Sequence, residues 1–138
     1  MKRFMYGLII VCAFLTSSSV LSAGKLDKAG RAWLDAHNDA PAMNVDGTWD
    51  SDEFGEIHLS QENGSRDVSG IGGGYEIVGV VSGKHLYLLF LTGNTVEYCS
   101  VLNAGSGNSM MGTYSNRVSR FGSGLCQKST RPIFISKK

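Results

Sequence analysis

The stretch Tyr75–Leu91, YEIVGVVSGKHLYLLFL, constrains the fold more than any other part of the 138-residue chain. Val78, Val80 and Val81 are β-branched, and Tyr87 and Phe90 are aromatic; such side chains pack well on a pleated surface. Ser82-Gly83-Lys84 interrupts the run, and Gly83 permits the positive φ that a tight hairpin turn needs. Two strands joined at that turn are expected. In the second strand both faces are apolar: Leu86, Leu88 and Phe90 on one, Tyr87, Leu89 and Leu91 on the other. A strand wetted on one side alternates apolar with polar residues, so something must cover the second face. Burying one such side chain is worth roughly 1.5–3 kcal/mol, which makes three left in water a substantial loss. The sequence leaves open which set faces inward.

The cover expected is a helix over residues 25–38, KLDKAGRAWLDAHN, acting through Leu26, Trp33 and Leu34; another molecule is the alternative. Leu26, Ala29, Trp33 and His37 fall on one stripe, with Gly30 and Leu34 beside it. Asp27 suits the first turn, and Asn38 with Pro41 ends the helix. Gly30 weakens it by about 1 kcal/mol relative to Ala, so it needs tertiary packing to be ordered. Ahead of it, residues 1–23 have the form of a secretory signal peptide. Lys2 and Arg3 are basic, residues 8–15 form an apolar run too short for a membrane span, and Ala23 ends a small, polar cleavage region. Three segments follow: a signal peptide over 1–23, a helix and linker over 24–44, and a β domain over 45–138. Cleavage leaves 115 residues, enough for one small domain.

From Val45 onward the pattern is strands and turns. Strands are expected over 45–50, 54–61 and 66–71, then the two of the central hairpin, then over 95–103, 109–115 and 121–128. A short last strand over 132–136 is also compatible, since Pro132 suits a strand start or an edge. Glu62-Asn63-Gly64-Ser65 and Gly93-Asn94 are turn signals. Short strands at near-regular spacing read as an up-and-down meander, and closing it removes the exposed edges. The expected fold class is all-β: an antiparallel meander forming an eight-stranded barrel, with one N-terminal helix.

A helix followed by Gly47-Thr48-Trp49 and a meander resembles the calycin superfamily of lipocalins and their relatives. The resemblance spans about residues 45–136, and its sharp motif is the three-residue G-x-W. It implies that Trp49 closes the barrel floor and that a basic residue of the last strand, Arg131 or else Lys128, packs over the indole. The Thr-Asp-Tyr motif of lipocalins is absent, and Trp33 and Trp49 are the chain's two tryptophans, so no family ligand is carried over.

Several groupings invite chemistry and are better explained otherwise. Asp50-x-Asp52 begins like a calcium loop, but Phe54 stands where an oxygen ligand is needed and no Glu follows at the twelfth position. Glu56 and His58 share a strand face and, with His85, have the makings of a metal or acid–base site. Their plainer reading is the polar exterior of a strand whose Ile57 and Leu59 point inward. Gly70-Ile71-Gly72-Gly73-Gly74 precedes a strand and not a helix, so it offers no phosphate cradle. Cys99 and Cys126 remain after leader removal and are expected to form one disulfide in an oxidising compartment.

Charge is lopsided. Residues 24–97 hold all 12 acids and five bases, while 98–138 hold six bases and no acid. In a closed sheet the last strand lies beside the first, so internal complementarity explains this; a basic patch for an anionic partner is the other reading. The bases are not interleaved with stacking aromatics, which argues against nucleic acid. Together these features describe an exported protein, periplasmic or secreted, with no cofactor, no enzymatic activity and no membrane span after leader cleavage. Its expected function is binding a small apolar or amphiphilic molecule in the barrel mouth, with Trp49, Tyr87, Met110 and Tyr114 as ligand-binding residues. Filling the core is the plainer role for Met110. The rival class is protein recognition, as an inhibitor or assembly subunit using the apolar face of the 75–91 hairpin. A filled interior with a bare apolar face would favour the rival, and an open pocket the first reading.

Overall fold

The computed structural model describes residues 26–105, 108–116, 126 and 131–138. The signal peptide expected over 1–23 lies outside the described residues, as does Lys128. One helix, α1 (Lys28–Asp35), precedes eight strands: β1 (Gly47–Ser51), β2 (Gly55–Ser60), β3 (Asp67–Gly72), β4 (Tyr75–Ser82), β5 (His85–Thr92), β6 (Thr95–Ala104), β7 (Ser109–Ser115) and β8 (Arg131–Lys137). Each strand pairs antiparallel with its neighbour in sequence, and β8 returns to β1, so the sheet is a closed up-and-down barrel. The strand that closes it is the one expected to be short, over 132–136. The strand expected over 121–128 lies outside the described residues apart from Cys126.

The central hairpin forms as expected, with Gly83 at φ 59° in its turn. Leu86, Leu88 and Phe90 point into the barrel, where they meet Ile57, Leu59, Val68, Ile77, Leu102, Ile133 and Ile135. The interior is filled by these side chains, all of them buried. Tyr87, Leu89 and Leu91 point outward and pack with Val78, Val80 and Val96 beneath Leu34, with Leu26, Ala29 and Trp33 of the helical segment against them. The helix therefore covers the face that a partner protein was considered for, and that face is not a free recognition surface. The physical reason is local: a short amphipathic helix sits ahead of the barrel and the hairpin offers the largest apolar face.

Helix α1 is anchored at both ends. Asp27 caps it, its carboxylate accepting the Gly30 N–H at 2.7 Å. A Cβ on Gly30 would meet the Leu26 side chain at 2.7 Å, so the glycine that weakens the helix also lets Leu26 fold back over it. At the other end Arg66 donates from its guanidinium to the carbonyls of Leu34 (3.0 Å) and His37 (2.6 Å). The linker then crosses one end of the barrel. Ala42 N–H donates to the Gly83 carbonyl at 2.8 Å, and the buried Gln61 side chain accepts the Val45 N–H at 2.8 Å and donates to Ser65 and Met43 carbonyls.

Trp49 lies at this closed end. Its indole N–H donates to the Val45 carbonyl at 2.9 Å, and Lys137 Nζ stands 5.7 Å from its ring centroid. The basic residue over the indole is thus Lys137, not Arg131. Strand β8 runs from the opposite end toward the floor, so its first residue, Arg131, starts at the far mouth and its last reaches the tryptophan. Gly47 makes room: at φ 136°, a Cβ there would meet Lys137 Cε at 2.8 Å. On the outer wall Lys138 binds Glu56 at 2.6 Å and approaches Asp50 at 3.7 Å, so the basic C-terminal end meets acids of β1 and β2 through barrel closure.

Candidate functional site

The end opposite the floor is built from the ends of β1, β3, β5 and β7 and the starts of β2, β4, β6 and β8. The β1–β2 turn is held by Ser51, whose hydroxyl accepts the N–H groups of Glu53 (3.2 Å) and Phe54 (3.1 Å). Asp52 ties the same turn to β8 by accepting the Phe134 N–H at 3.2 Å. So held, Phe54 turns inward and stacks on Phe90, with centroids 4.3 Å apart and planes 15° from parallel. Three tyrosines stand edge-on around Phe54: Tyr75 at 6.2 Å, Tyr98 at 5.4 Å and Tyr114 at 5.6 Å. Tyr98 reaches this position because the β5–β6 register shifts between Phe90 and Leu91. The shift puts Val96 on the outer face under the helix and Tyr98 on the inner side, although two residues apart they would otherwise share a face.

Above the aromatic floor is a cavity of about 500 Å³, lined by Glu53, Phe54, Tyr75, Tyr98, Tyr114 and Arg131, with Gly73, Ser115 and Asn116. Its size is that of a small-ligand site. The exposed lining is mainly polar, made of hydroxyl, carboxylate, guanidinium and amide groups. Tyr114 is the cross-strand partner of Arg131 and shares this lining with Glu53. Burial first, and then the nearby Glu53 carboxylate, raise the Tyr114 pKa, with Arg131 opposing. A hydrogen bond to Tyr98 is the main cause raising that of Tyr75. Both phenols therefore stay protonated at neutral pH and keep their O–H groups as donors.

The four residues expected to line a ligand are not brought together. Tyr114 is at the mouth. Trp49 is at the opposite end, committed to Val45 and Lys137. Met110 is buried in the interior, paired with Ile135. Tyr87 is outside the barrel beneath the helix, stacked on His37 at 3.7 Å and edge-on to Trp33 at 5.6 Å. The mouth residues Glu53, Phe54, Tyr75, Tyr98 and Arg131 were not singled out as ligand contacts. Their signal is topological: in a meander, even strands start and odd strands end at the same rim, and these residues all occupy such positions.

Glu56, His58 and His85 do not converge. His58 bonds Glu56 at 2.9 Å and Thr48 at 3.1 Å on the outer wall of β1–β2, while His85 bonds Asn103 on β5–β6. Glu56 and His58 are about half exposed, as the polar exterior of a strand should be. Cys99, on the outer face of β6, is paired with Cys126 as a disulfide, with Cα atoms 6.1 Å apart. Among the described residues no helix is long and apolar enough to cross a membrane. The chain matches no family model, no curated protein and no solved structure, so the reading of this site rests on its own geometry.

Proposed function

We propose that this protein is an exported, non-enzymatic binding protein of lipocalin-like build that holds one small amphiphilic ligand at the mouth of its barrel. The observation that carries the reading is the mouth cavity itself: about 500 Å³ above a filled interior, with an aromatic floor at Phe54 and a polar rim. A purely apolar ligand inside the barrel has no space, because the interior side chains are close-packed against each other. An amphiphile satisfies both surfaces. Its apolar part lies toward Phe54 and the tyrosine rings, and its polar part meets Glu53, Arg131 and the hydroxyls. The Cys99–Cys126 pair supports an oxidising compartment, periplasmic or extracellular. The Trp49 floor under Lys137 supports the lipocalin-like build. The test is calorimetric titration with decanoate, octyl glucoside and a short-chain phosphocholine, each below its micellar concentration. Saturable binding to the wild type, weakened by Tyr98→Phe and by Tyr114→Phe while their melting curves stay unchanged, is the expected result. Binding that ignores both substitutions would place the ligand elsewhere and overturn the reading.

A further inference from the structure

Glu53 and Arg131 are the two charged residues among those lining the mouth cavity, and they are of opposite sign. They come from the two sides of the barrel seam. Glu53 stands on the turn after β1, held by Ser51, and Arg131 begins β8, which pairs with β1. Tyr114, from β7, joins them in the lining and is the cross-strand partner of Arg131. Opposite charges facing one cavity of about 500 Å³ suit a small ligand that carries both an ammonium and a carboxylate. A zwitterion matches both groups, whereas a singly charged ligand leaves one of them unmatched.

We infer that the mouth selects a small zwitterion, a free α-amino acid or betaine, from the presence of Glu53 and Arg131 in one cavity lining beside Tyr114. The ammonium binds the Glu53 carboxylate and lies against the tyrosine rings, where a cation is attracted by the ring faces. The carboxylate takes Arg131, whose forked donors suit it. The side chain of the ligand then rests toward Phe54, and Asn116 at the cavity edge supplies a further amide. This inference rests on the mouth being the binding site, and it narrows the amphiphile to a dipolar one.

Calorimetry on the full exported chain tests it, with L-leucine, L-phenylalanine, L-lysine and glycine betaine as probes. L-Phenylalaninamide lacks the carboxylate and N-acetyl-L-phenylalanine lacks the ammonium. At least one zwitterion is expected to bind saturably, and removing either charge from L-phenylalanine or its best-binding relative is expected to weaken binding about tenfold or more. Two variants give a readout that a merely structural role would not move. Glu53→Gln is expected to abolish the preference for a free ammonium while keeping that for the carboxylate, and Arg131→Gln the reverse. If the singly charged analogues bind as well as the zwitterions, the inference is overturned. If no zwitterion binds while octyl glucoside shifts the NMR signals of Tyr98 and Tyr114, the inference falls and the mouth remains the binding site. If neither class of probe perturbs those tyrosines, both fall together.

Discussion

Gly47 and Trp49 show how three residues set one end of this molecule. The glycine is at a φ that side chains rarely adopt, and it leaves the space through which the Lys137 stem crosses the indole. Gly47→Ala is expected to destabilise the fold by about 1–3 kcal/mol, because strain and overlap with Lys137 act together. A fall in the urea midpoint with unchanged slope is the check; an unaltered midpoint would mean that the lysine is not packed there. The G-x-W spacing made the tryptophan's burial legible in the sequence. Which cation covers it was not legible, because Arg131 and Lys137 sit on the same strand and only its direction and register decide between them. The phenol of Tyr114 was legible as a candidate, but Glu53 and Arg131, which line its cavity, are far apart in sequence, and Arg131 read instead as the cation over Trp49.

Helix α1 was legible as an amphipathic element needing a partner, and the hairpin as a strand pair with one face too many. Their fit follows from the two deficits. A protein starting at Asn44 is expected to bind an apolar dye such as ANS and to melt at a lower temperature, since Val78, Val80, Leu89 and Leu91 lose their cover. Equal stability and no dye binding would show that the helix contributes nothing to burial. Docking of the helix is also expected to depend on pH through His37. Burial first, then the charges of Arg66 and His85, lower its pKa, so the docked state favours the neutral ring stacked on Tyr87. A group whose folded pKa is depressed gives the docked state its full support above its ordinary pKa and loses it as pH falls. For a histidine that loss sets in below roughly pH 6.5. Urea midpoints should therefore drop more between pH 7.5 and pH 5.5 for the wild type than for His37→Phe, roughly the span over which histidine gains its charge. An equal drop in both proteins would remove His37 from the account. The helix starts at Lys28 and not at 25 because Asp27 acts as the cap and not as a first-turn residue, and it ends at Asp35, short of the expected 38.

At the scale of the whole molecule, the barrel was legible because alternation, turn chemistry and near-regular spacing all pointed to a meander, and a meander of eight strands has two edges to lose by closing. The functional end was not, because it is assembled from strand termini that meet only after closure: Phe54 after β1, Tyr75 on β4, Tyr98 on β6, Tyr114 on β7 and Arg131 on β8. No local window holds two of them. The Cys99–Cys126 bridge, separated by 27 residues, is expected to stabilise the molecule by roughly 3 kcal/mol. Mass spectrometry without reductant should find Cys99 and Cys126 closed to alkylation, and two alkylated thiols there would contradict the pairing. The central claim is that this barrel is filled and binds at its mouth. The most direct test is a site-resolved NMR titration with octyl glucoside and L-phenylalanine, following the rings of Phe54, Tyr75, Tyr98 and Tyr114 beside the methyl groups of Leu86, Leu88 and Ile133. The account predicts saturable shifts in the rings with the interior methyls unmoved; large shifts in the interior methyls, or no saturable shift at the rings, would contradict it.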